Sequence, residues 1–365
     1  MDQEDEPANP GRGQSVDKTV KRDRVVQRWG GHLVATNGCG WLSLSLQSSL
    51  SMLSRIYPFV FALPFLAAIL LAHAPVDSEQ AITDLINQMI AARQFESAVA
   101  LARHAVAQYP ASAALDQLLG LALYREGDRR GAAVAFRKAI ELAPSESGNY
   151  FNLGLIELGA GDARAVKHLE AFVQLEPRNP DGHLLLGHAY QYTNRTLPAV
   201  EQYHKALEFA PKLPTAHYHL GLAYESQGDV GLALAEFKQE IDTNPKFCEA
   251  YELAGKVEVE RDHLNESEHL YRSAVECRDG SFQAHYGLAR VLLAKEQFAE
   301  AETELARCVK IDDSAISAHY ALAQTYQRLG RMDAAEREYH LIAQIHAQRH
   351  AHISSGIASS QEARP

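Results

Sequence analysis

A fixed repeat of 34 residues is the feature that most constrains this chain. Prolines recur at gaps of 34, 33, 34 and 34 residues, and the same count then reaches two aspartates: Pro110, Pro144, Pro177, Pro211, Pro245, Asp279 and Asp313. A period of this length is typical of arrays in which each unit is one pair of helices. Because such a pair cannot bury its apolar stripe alone, it must stack on its neighbours. The period therefore predicts an all-α array over residues 79–349.

Small and large side chains recur at fixed places inside each repeat. A leucine followed by a small residue comes first, as in Leu220-Gly221; twelve residues later stands Ala233, and four residues after it Phe237. Between the two groups lie Gly127-Asp128, Gly161-Asp162, Gly228-Asp229 and Gly330, which fit a left-handed helix end followed by a capping residue. We interpret this pattern as two closely interlocking helices per repeat.

The segment 216–224, followed by Gly228-Asp229, Ala233, Phe237 and Pro245, resembles the tetratricopeptide repeat family. The resemblance covers residues 79–349 as about eight repeats. It implies antiparallel helix hairpins stacked into a right-handed superhelical solenoid with an inner groove.

The chain departs from the family pattern in several repeats. The first repeat has Leu85-Ile86 in place of the leucine–glycine pair, and the repeat at 248–281 has Ser267 in place of alanine. Glu240 replaces a small residue late in a second helix, and one residue is missing near 161–165. We expect local irregularity there without a break in the array. The polar final helix, predicted to end near Arg349, serves as an end cap in this interpretation.

An uncharged run of nineteen residues, Ile56–Ala74, precedes the repeats, with Arg55 before it and Asp77 after it. Since positive charge stays in the cytoplasm, the charge asymmetry predicts that the chain beyond Ala74 is exported. One interpretation is a cleaved signal peptide that starts at Met52 and ends at Ala72-His73-Ala74, an A-x-A cleavage site. The other is an uncleaved anchor, because nineteen helical residues nearly cross a bilayer of about 30 Å.

A buried helix of a soluble domain is the third interpretation of this run, and Pro58 and Pro64 argue against it. We therefore divide the chain into 1–51, a disordered tail or a mis-annotated start; 52–78, a signal peptide or transmembrane anchor; 79–349, the solenoid; and 350–365, a disordered tail. We expect the array to be extracytoplasmic, with a membrane contact through Ile56–Ala74 if this segment is not cleaved.

Composition and motifs exclude several classes of function. The formal charge of −11, from 46 acidic and 35 basic residues, gives no broad positive field for nucleic acid. The chain contains no G-x-S-x-G, P-loop, G-x-G-x-x-G or H-E-x-x-H motif, and no paired cysteines at zinc spacing. We expect no enzymatic activity, cofactor, metal or small-molecule substrate.

The family resemblance assigns partner binding mainly to the second, fifth, ninth and twelfth positions of each first helix, here called the groove positions. The predicted partner is a protein or peptide, anchored by apolar and aromatic side chains. The candidate residues at these positions are Tyr124, Phe151, Leu155, His188, Tyr218, Glu225, Lys256, Tyr286, Arg290 and Tyr320. The alternative for each is that it packs between neighbouring first helices.

Two further groups of residues are candidates for a role. His183, His217, His285 and His319 all fall at the fourth position of a first helix, and this regularity indicates a structural role. Cys248 and Cys277 lie at ends of two helices that a hairpin brings side by side, so a disulfide is sterically plausible; two free thiols are the favoured interpretation. Cys308 is expected in the core.

The sequence thus predicts a non-enzymatic scaffold or adaptor that is exposed outside the cytoplasm and binds partners in its groove. The alternative is a structural or secretion-linked subunit of an envelope assembly that oligomerises through its outer or terminal faces.

Overall fold

The computed structural model describes residues 78–362, with side chains described as far as Arg349. Over this range the regular structure consists of sixteen α-helices. None of these helices combines the length and the apolar character that a membrane span requires. The predicted tail 1–51 and the segment Ile56–Ala74 lie outside the described residues.

The helices belong to two compact units, divided between Thr193 and Asn194. The amino-terminal unit contains α1 (Glu79–Ala91), α2 (Phe95–Gln108), α3 (Ala113–Glu126), α4 (Arg129–Leu142), α5 (Ser147–Gly159), α6 (Ala165–Leu175) and α7 (Pro180–Tyr192). The carboxy-terminal unit contains α8 (Thr196–Phe209), α9 (Ala216–Gln227), α10 (Val230–Thr243), α11 (Cys248–Glu260), α12 (Leu264–Cys277), α13 (Phe282–Ala294), α14 (Phe298–Ile311), α15 (Ile316–Arg328) and α16 (Met332–Glu362).

Within each unit, every helix packs on the next one along the chain. First helices of adjacent hairpins are also in contact: α1 contacts α3, α5 contacts α7, and α11 contacts α13. Sequential packing of this kind confirms the predicted order of hairpins.

In the described residues, every turn between the first and second helix of a repeat contains one residue in the left-handed backbone conformation, with positive φ. Four of these residues are the predicted glycines, including Gly127 at φ +105° and Gly228 at φ +85°. The other four carry side chains and follow the same period: Arg93, Asn194, Asp262 and Glu296, all at φ near +60°. The backbone thus keeps this conformation even where a side chain makes it cost about 1–2 kcal/mol. Asp128 caps the following helix through the Gly131 N–H, as predicted, whereas the Asp229 side chain forms no such bond.

The predicted interlock of small and large side chains is confirmed. A methyl group added at Gly221 would lie 2.6 Å from the Phe237 ring, and one at Gly120 would lie 2.8 Å from the Phe136 ring. Phe136 and Phe237 are completely buried, as are Ala132 and Ala233 on the same second helices. Each bulky side chain therefore fills the space that a glycine leaves on the facing helix.

The departures from the repeat pattern change the structure only locally. The second helix α6 begins late, at Ala165, and has 11 residues, because the residue missing near 161–165 shortens its first turn. Ser267 is completely buried and its hydroxyl donates to the Gly255 carbonyl at 2.8 Å, so the substituted position still packs. The last helix, predicted to end near Arg349 before a tail, instead continues to Glu362.

Tyr271 provides a test of the interlock because its ring lies between two glycines. A Cβ at Gly255 of its own hairpin would lie 3.1 Å from the ring, and one at Gly287 of the next hairpin 2.2 Å from it. We expect Gly287→Ala to lower the midpoint of urea unfolding, since a clash that costs about 1–3 kcal/mol exceeds the helix propensity gain of about 1 kcal/mol.

The matched control is Gly231→Ala in α10, where an added Cβ meets nothing within 4 Å. This variant should raise the midpoint, because alanine favours the helix by up to about 1 kcal/mol. If both substitutions shift the midpoint in the same direction, a side chain at position 287 does not destabilise the protein through a clash with Tyr271, and the prediction is wrong.

Candidate partner-binding face

Two groove positions of neighbouring repeats lie side by side in the carboxy-terminal unit. Glu225 on α9, at the twelfth position of the repeat when the count starts at Pro214, forms an ion pair of 2.6 Å with Lys256, at the ninth position of α11. Because these residues come from adjacent first helices, their contact shows that groove positions of neighbouring repeats lie side by side. We call the surface that these positions form the groove face.

In the amino-terminal unit most of the candidate side chains are buried and pack against other residues of the protein. Phe151 and Leu155 on α5 are 3% and 4% exposed, and the Phe151 ring lies 5.0 Å from that of Phe172. His188 is also buried, and burial lowers the pKa of its imidazole to about 3, so it is neutral at physiological pH. Tyr124 is half-buried. These side chains offer little surface to a partner.

The carboxy-terminal unit exposes more of its candidates. Lys256, Arg290 and Tyr320 are exposed, with Tyr320 at 50%, while Glu225 and Tyr286 are half-buried. Tyr218 is half-buried too, and it packs against the rings of His219, Phe237 and Phe247. Access to the groove face is therefore best on α11, α13 and α15.

The charged groove positions of α9 and α11 form ion pairs, either with one another or with Arg278 at the end of α12. Glu249 and Glu252 accept hydrogen bonds from Arg278 at 2.8 and 3.0 Å. Burial by itself would lower the pKa of Lys256, but the hydrogen bond and charge of Glu225 raise it overall, so this ammonium stays protonated. This part of the groove face is electrostatically satisfied.

The groove positions of α13 and α15 carry a single charge, that of Arg290. The other positions on these two helices hold neutral side chains: Gln283, Tyr286 and Leu293, then Ser317, Tyr320, Gln324 and Gln327. In the part of the chain that the structure describes, no carboxylate lies within ion-pair distance of Arg290. The aromatic side chains on either side of Arg290 in this pattern are Tyr286, one turn earlier, and Tyr320, at the fifth position of the next first helix.

The fourth-position histidines are structural, as predicted, although their contacts are polar. In three of them Nδ1 contacts a glutamate of the paired second helix at 2.6–2.7 Å: His217 with Glu236, His285 with Glu304, and His319 with Glu338. Nε2 of each lies 2.8–3.3 Å from the carbonyl oxygen six residues earlier. Each histidine thus ties the preceding loop to both helices of its hairpin, an arrangement that we call the histidine clasp.

The clasp at His217 also affects protonation. Burial by itself would lower the pKa of His217, but the hydrogen bond and charge of Glu236, the Pro211 carbonyl and the charge of Glu240 raise it overall. The folded chain therefore holds a proton on this ring more tightly than the unfolded chain does.

Glu240 has a role that the sequence pattern did not reveal. Its side chain is completely buried and accepts the Thr215 backbone N–H at 2.9 Å and the Asn244 amide at 3.2 Å. Thr215 precedes α9 with φ at +68°, and its own side chain does not cap the helix. Glu240 therefore provides the acceptor that this helix start requires. The only sequence signal was a charged residue where repeats carry a small one.

Cys248 and Cys277 form a disulfide, and their Cα atoms are 5.6 Å apart. The favoured prediction of two free thiols is therefore wrong. The hairpin brings the first residue of α11 beside the last residue of α12, as the alternative prediction required. Cys308 is free and completely buried, as expected, and burial raises the pKa of its thiol to about 12.

Within residues 78–349 no group of three or more histidine, cysteine or carboxylate side chains is placed to hold a metal ion. One shallow surface depression lies at the turn between α3 and α4, where it is lined by Tyr124, Asp128 and Arg130. The groove face thus remains the main candidate site in the described chain.

Family models match much of the array. Models described as tetratricopeptide repeat match residues 253–316, and 117–146, 214–247 and 316–347, and one described as TPR repeat matches 198–228. No curated protein matches the chain significantly.

Solved structures with a similar fold include the C-terminal part of a TPR repeat-containing protein from Cytophaga hutchinsonii. It is 14% identical, with a TM-score of 0.56 over 66% of this chain and 99% of its own. MamA is 24% identical, with a TM-score of 0.43 over 44% of this chain and 95% of its own. YrrB, described as a TPR protein with an unusual peptide-binding site, is 18% identical, with a TM-score of 0.45 over 53% of this chain and 97% of its own. At these identities the likeness concerns the fold.

The histidine clasp at His217 predicts a dependence of stability on pH. A raised folded pKa gives stability that is complete below the unfolded value of about 6.5 and is lost as pH rises through the folded value. The urea midpoint should therefore fall as the pH rises above about 6.5, and should fall less in His217→Gln. His340→Gln, at a side chain that is 74% exposed, is the control and should behave like wild type. Identical pH profiles for wild type and His217→Gln would contradict the assignment.

Proposed function

Since this chain is a tetratricopeptide repeat protein, we propose that it acts outside the cytoplasm as a non-enzymatic scaffold. Repeats of this family are generally non-catalytic and typically mediate protein–protein interactions. In this proposal the hairpins form a right-handed superhelix, and a segment of a partner protein lies on the groove face. The observation that carries the proposal is the exposure of Tyr320 and Arg290 at groove positions that packing does not use.

Two tyrosines at groove positions, of which Tyr320 is exposed and Tyr286 is half-buried, support binding of a peptide segment. Tyr286 and Tyr320 can bury a large area against a partner while losing few rotamers, and the hydroxyl of each retains a polar contact. Phe151 and Tyr218 are poorer probes of this role, because Phe151 is almost completely buried and Tyr218 packs against three rings, whereas Tyr286 stacks on one ring, that of Phe282. The variants that test the groove are therefore Tyr286→Ala and Tyr320→Ala.

Exposed leucines on second helices favour a second candidate function. Leu197 and Leu232, on α8 and α10, are 75% and 51% exposed. Apolar groups on this outer side suit assembly of a structural or secretion-linked subunit.

Two observations support the extracytoplasmic location. The uncharged run Ile56–Ala74, with basic residues before it, has the composition of an export or anchor signal. The Cys248–Cys277 disulfide is a bond that persists in oxidising compartments and is rare in the cytosol.

Capture experiments with the full-length chain separate the two candidate functions. Partners retained by wild type should be reduced at least about tenfold with Tyr286→Ala/Tyr320→Ala, which removes two anchors of the kind that each contribute more than about 1 kcal/mol. The same partners should persist with Leu232→Ala. The reverse pattern would support assembly through the outer side and reject groove binding.

The location is tested by the redox state of the cysteines in cells. After rapid denaturation in an alkylating reagent, Cys248 and Cys277 should remain unmodified until a reductant is added, whereas Cys308 should be modified in both conditions. Reduction should also lower the free energy of unfolding by about 2–4 kcal/mol. Modification of Cys248 and Cys277 without reductant would indicate a reducing compartment and contradict the proposal.

A further inference from the structure

The groove face changes its electrostatic character along the carboxy-terminal unit. On α9 and α11 the basic side chain Lys256 at a ninth position is neutralised by Glu225 at 2.6 Å, and Glu260 lies 3.8 Å away. On α13 the ninth position is again basic, since it holds Arg290. The residue equivalent to Glu225 in the preceding first helix is Val259, which has no charge.

Arg290 is therefore a cation whose position lacks the partner that the repeat supplies to Lys256. Its side chain is exposed, and no described carboxylate lies within ion-pair distance of it. The seven other groove positions on α13 and α15 are neutral. A lone guanidinium on such a surface is a donor of up to five hydrogen bonds in a planar fork, which matches a carboxylate.

The tyrosines at groove positions of α13 and α15 favour a partner with apolar groups beside its acidic one. Tyr286 lies one helical turn before Arg290, with its ring stacked at 5.6 Å on that of Phe282. Tyr320 is 50% exposed, and its ring is 6.1 Å from that of Tyr339, which holds it in place. Rings supported in this way provide fixed surfaces for a leucine or aromatic side chain of a partner.

We propose that the groove face of α13 and α15 binds an acidic segment of another protein, with an aspartate or glutamate side chain paired to Arg290 and apolar side chains on Tyr286 and Tyr320. Charge complementarity selects this occupant, because the surface offers one unneutralised cation and no carboxylate at its groove positions. A carboxylate from a side chain is specified because a single guanidinium can hold it, and the surface supplies no second cation to fix a chain terminus. The inference rests on the proposed groove function and names the chemistry of its partner.

The test is selection from a library of random peptides displayed internally, without free carboxyl ends, against the full-length protein with its disulfide intact. Enriched sequences should contain an excess of aspartate and glutamate next to leucine or aromatic residues. Enriched peptides are then synthesised with amidated ends, and their Kd values are measured by fluorescence anisotropy. Replacing their acidic residues by the corresponding amides should weaken binding about tenfold, the loss expected for one hydrogen-bonded ion pair.

Protein variants locate the effect on Arg290. Arg290→Gln should weaken binding of acidic peptides about tenfold and leave their amide versions unchanged, so the two losses do not add. Lys310→Gln is the matched control, because it removes an exposed cation from the second helix α14. Binding to wild type should also weaken as salt concentration rises, and this dependence should be smaller for Arg290→Gln.

Other outcomes overturn the inference in distinguishable ways. Neutral peptides that depend on Tyr286 and Tyr320 but bind Arg290→Gln like wild type would reject the acidic partner and leave groove binding intact. Peptides that need a free carboxyl end, recovered from a parallel library that presents one, would reject the side-chain source. No enrichment, or binding that survives Tyr286→Ala/Tyr320→Ala, would reject both the inference and the groove function.

Discussion

The whole array depends on a contact between a glycine or alanine of one helix and a bulky side chain of the next. At Gly221 the approach is so close that even a methyl group would lie 2.6 Å from the Phe237 ring. Tyr271 extends the same contact in two directions, because its ring lies against Gly255 of its own hairpin and Gly287 of the following one. Such a side chain joins neighbouring repeats into one interior. The repeat period is the consequence, since the contact recurs only if the helices and turns keep their lengths.

Polar groups inside this interior are tolerated where the neighbouring backbone supplies a partner. Ser267 replaces an alanine and bonds to a helix carbonyl, and Glu240 replaces a small residue and accepts the N–H groups at the start of α9. Asn152 on α5 is different: it is completely buried, and no described group bonds to its amide. Burial of an unpaired amide costs about 1–3 kcal/mol. Asn152 on α5 therefore lowers the stability of the fold, whereas the hydrogen-bonded Ser267 and Glu240 do not carry this cost.

The fold was largely predictable from the sequence, because the period and the small–large pattern are local and regular, whereas the candidate site was predictable by position only. Even in the fold, Arg93 and Glu296 adopt the left-handed conformation of the equivalent glycines, and only their spacing signals it. Phe151 and Tyr320 occupy the same fifth position in different repeats, yet the first is 3% exposed and the second 50%. The difference depends on which neighbours fill the adjacent space, and the sequence of a single repeat does not contain that information. The disulfide was not the favoured prediction because the spacing of two cysteines along the chain does not give the distance between their Cα atoms, which is 5.6 Å in the structure.

The packed interior and the exposed groove positions use different residues of the same repeat. Glycines, buried rings and histidine clasps fix the hairpins, so their identities are constrained by packing and hydrogen bonding. Arg290 and Tyr320 contribute little to either, because the guanidinium is unpaired and half of the tyrosine surface is exposed. Substitution at such positions changes the surface without disturbing the interlock beneath it. Positions that the repeat pattern leaves without a structural partner can change without loss of the fold, and Arg290 and Tyr320 on α13 and α15 are two such positions.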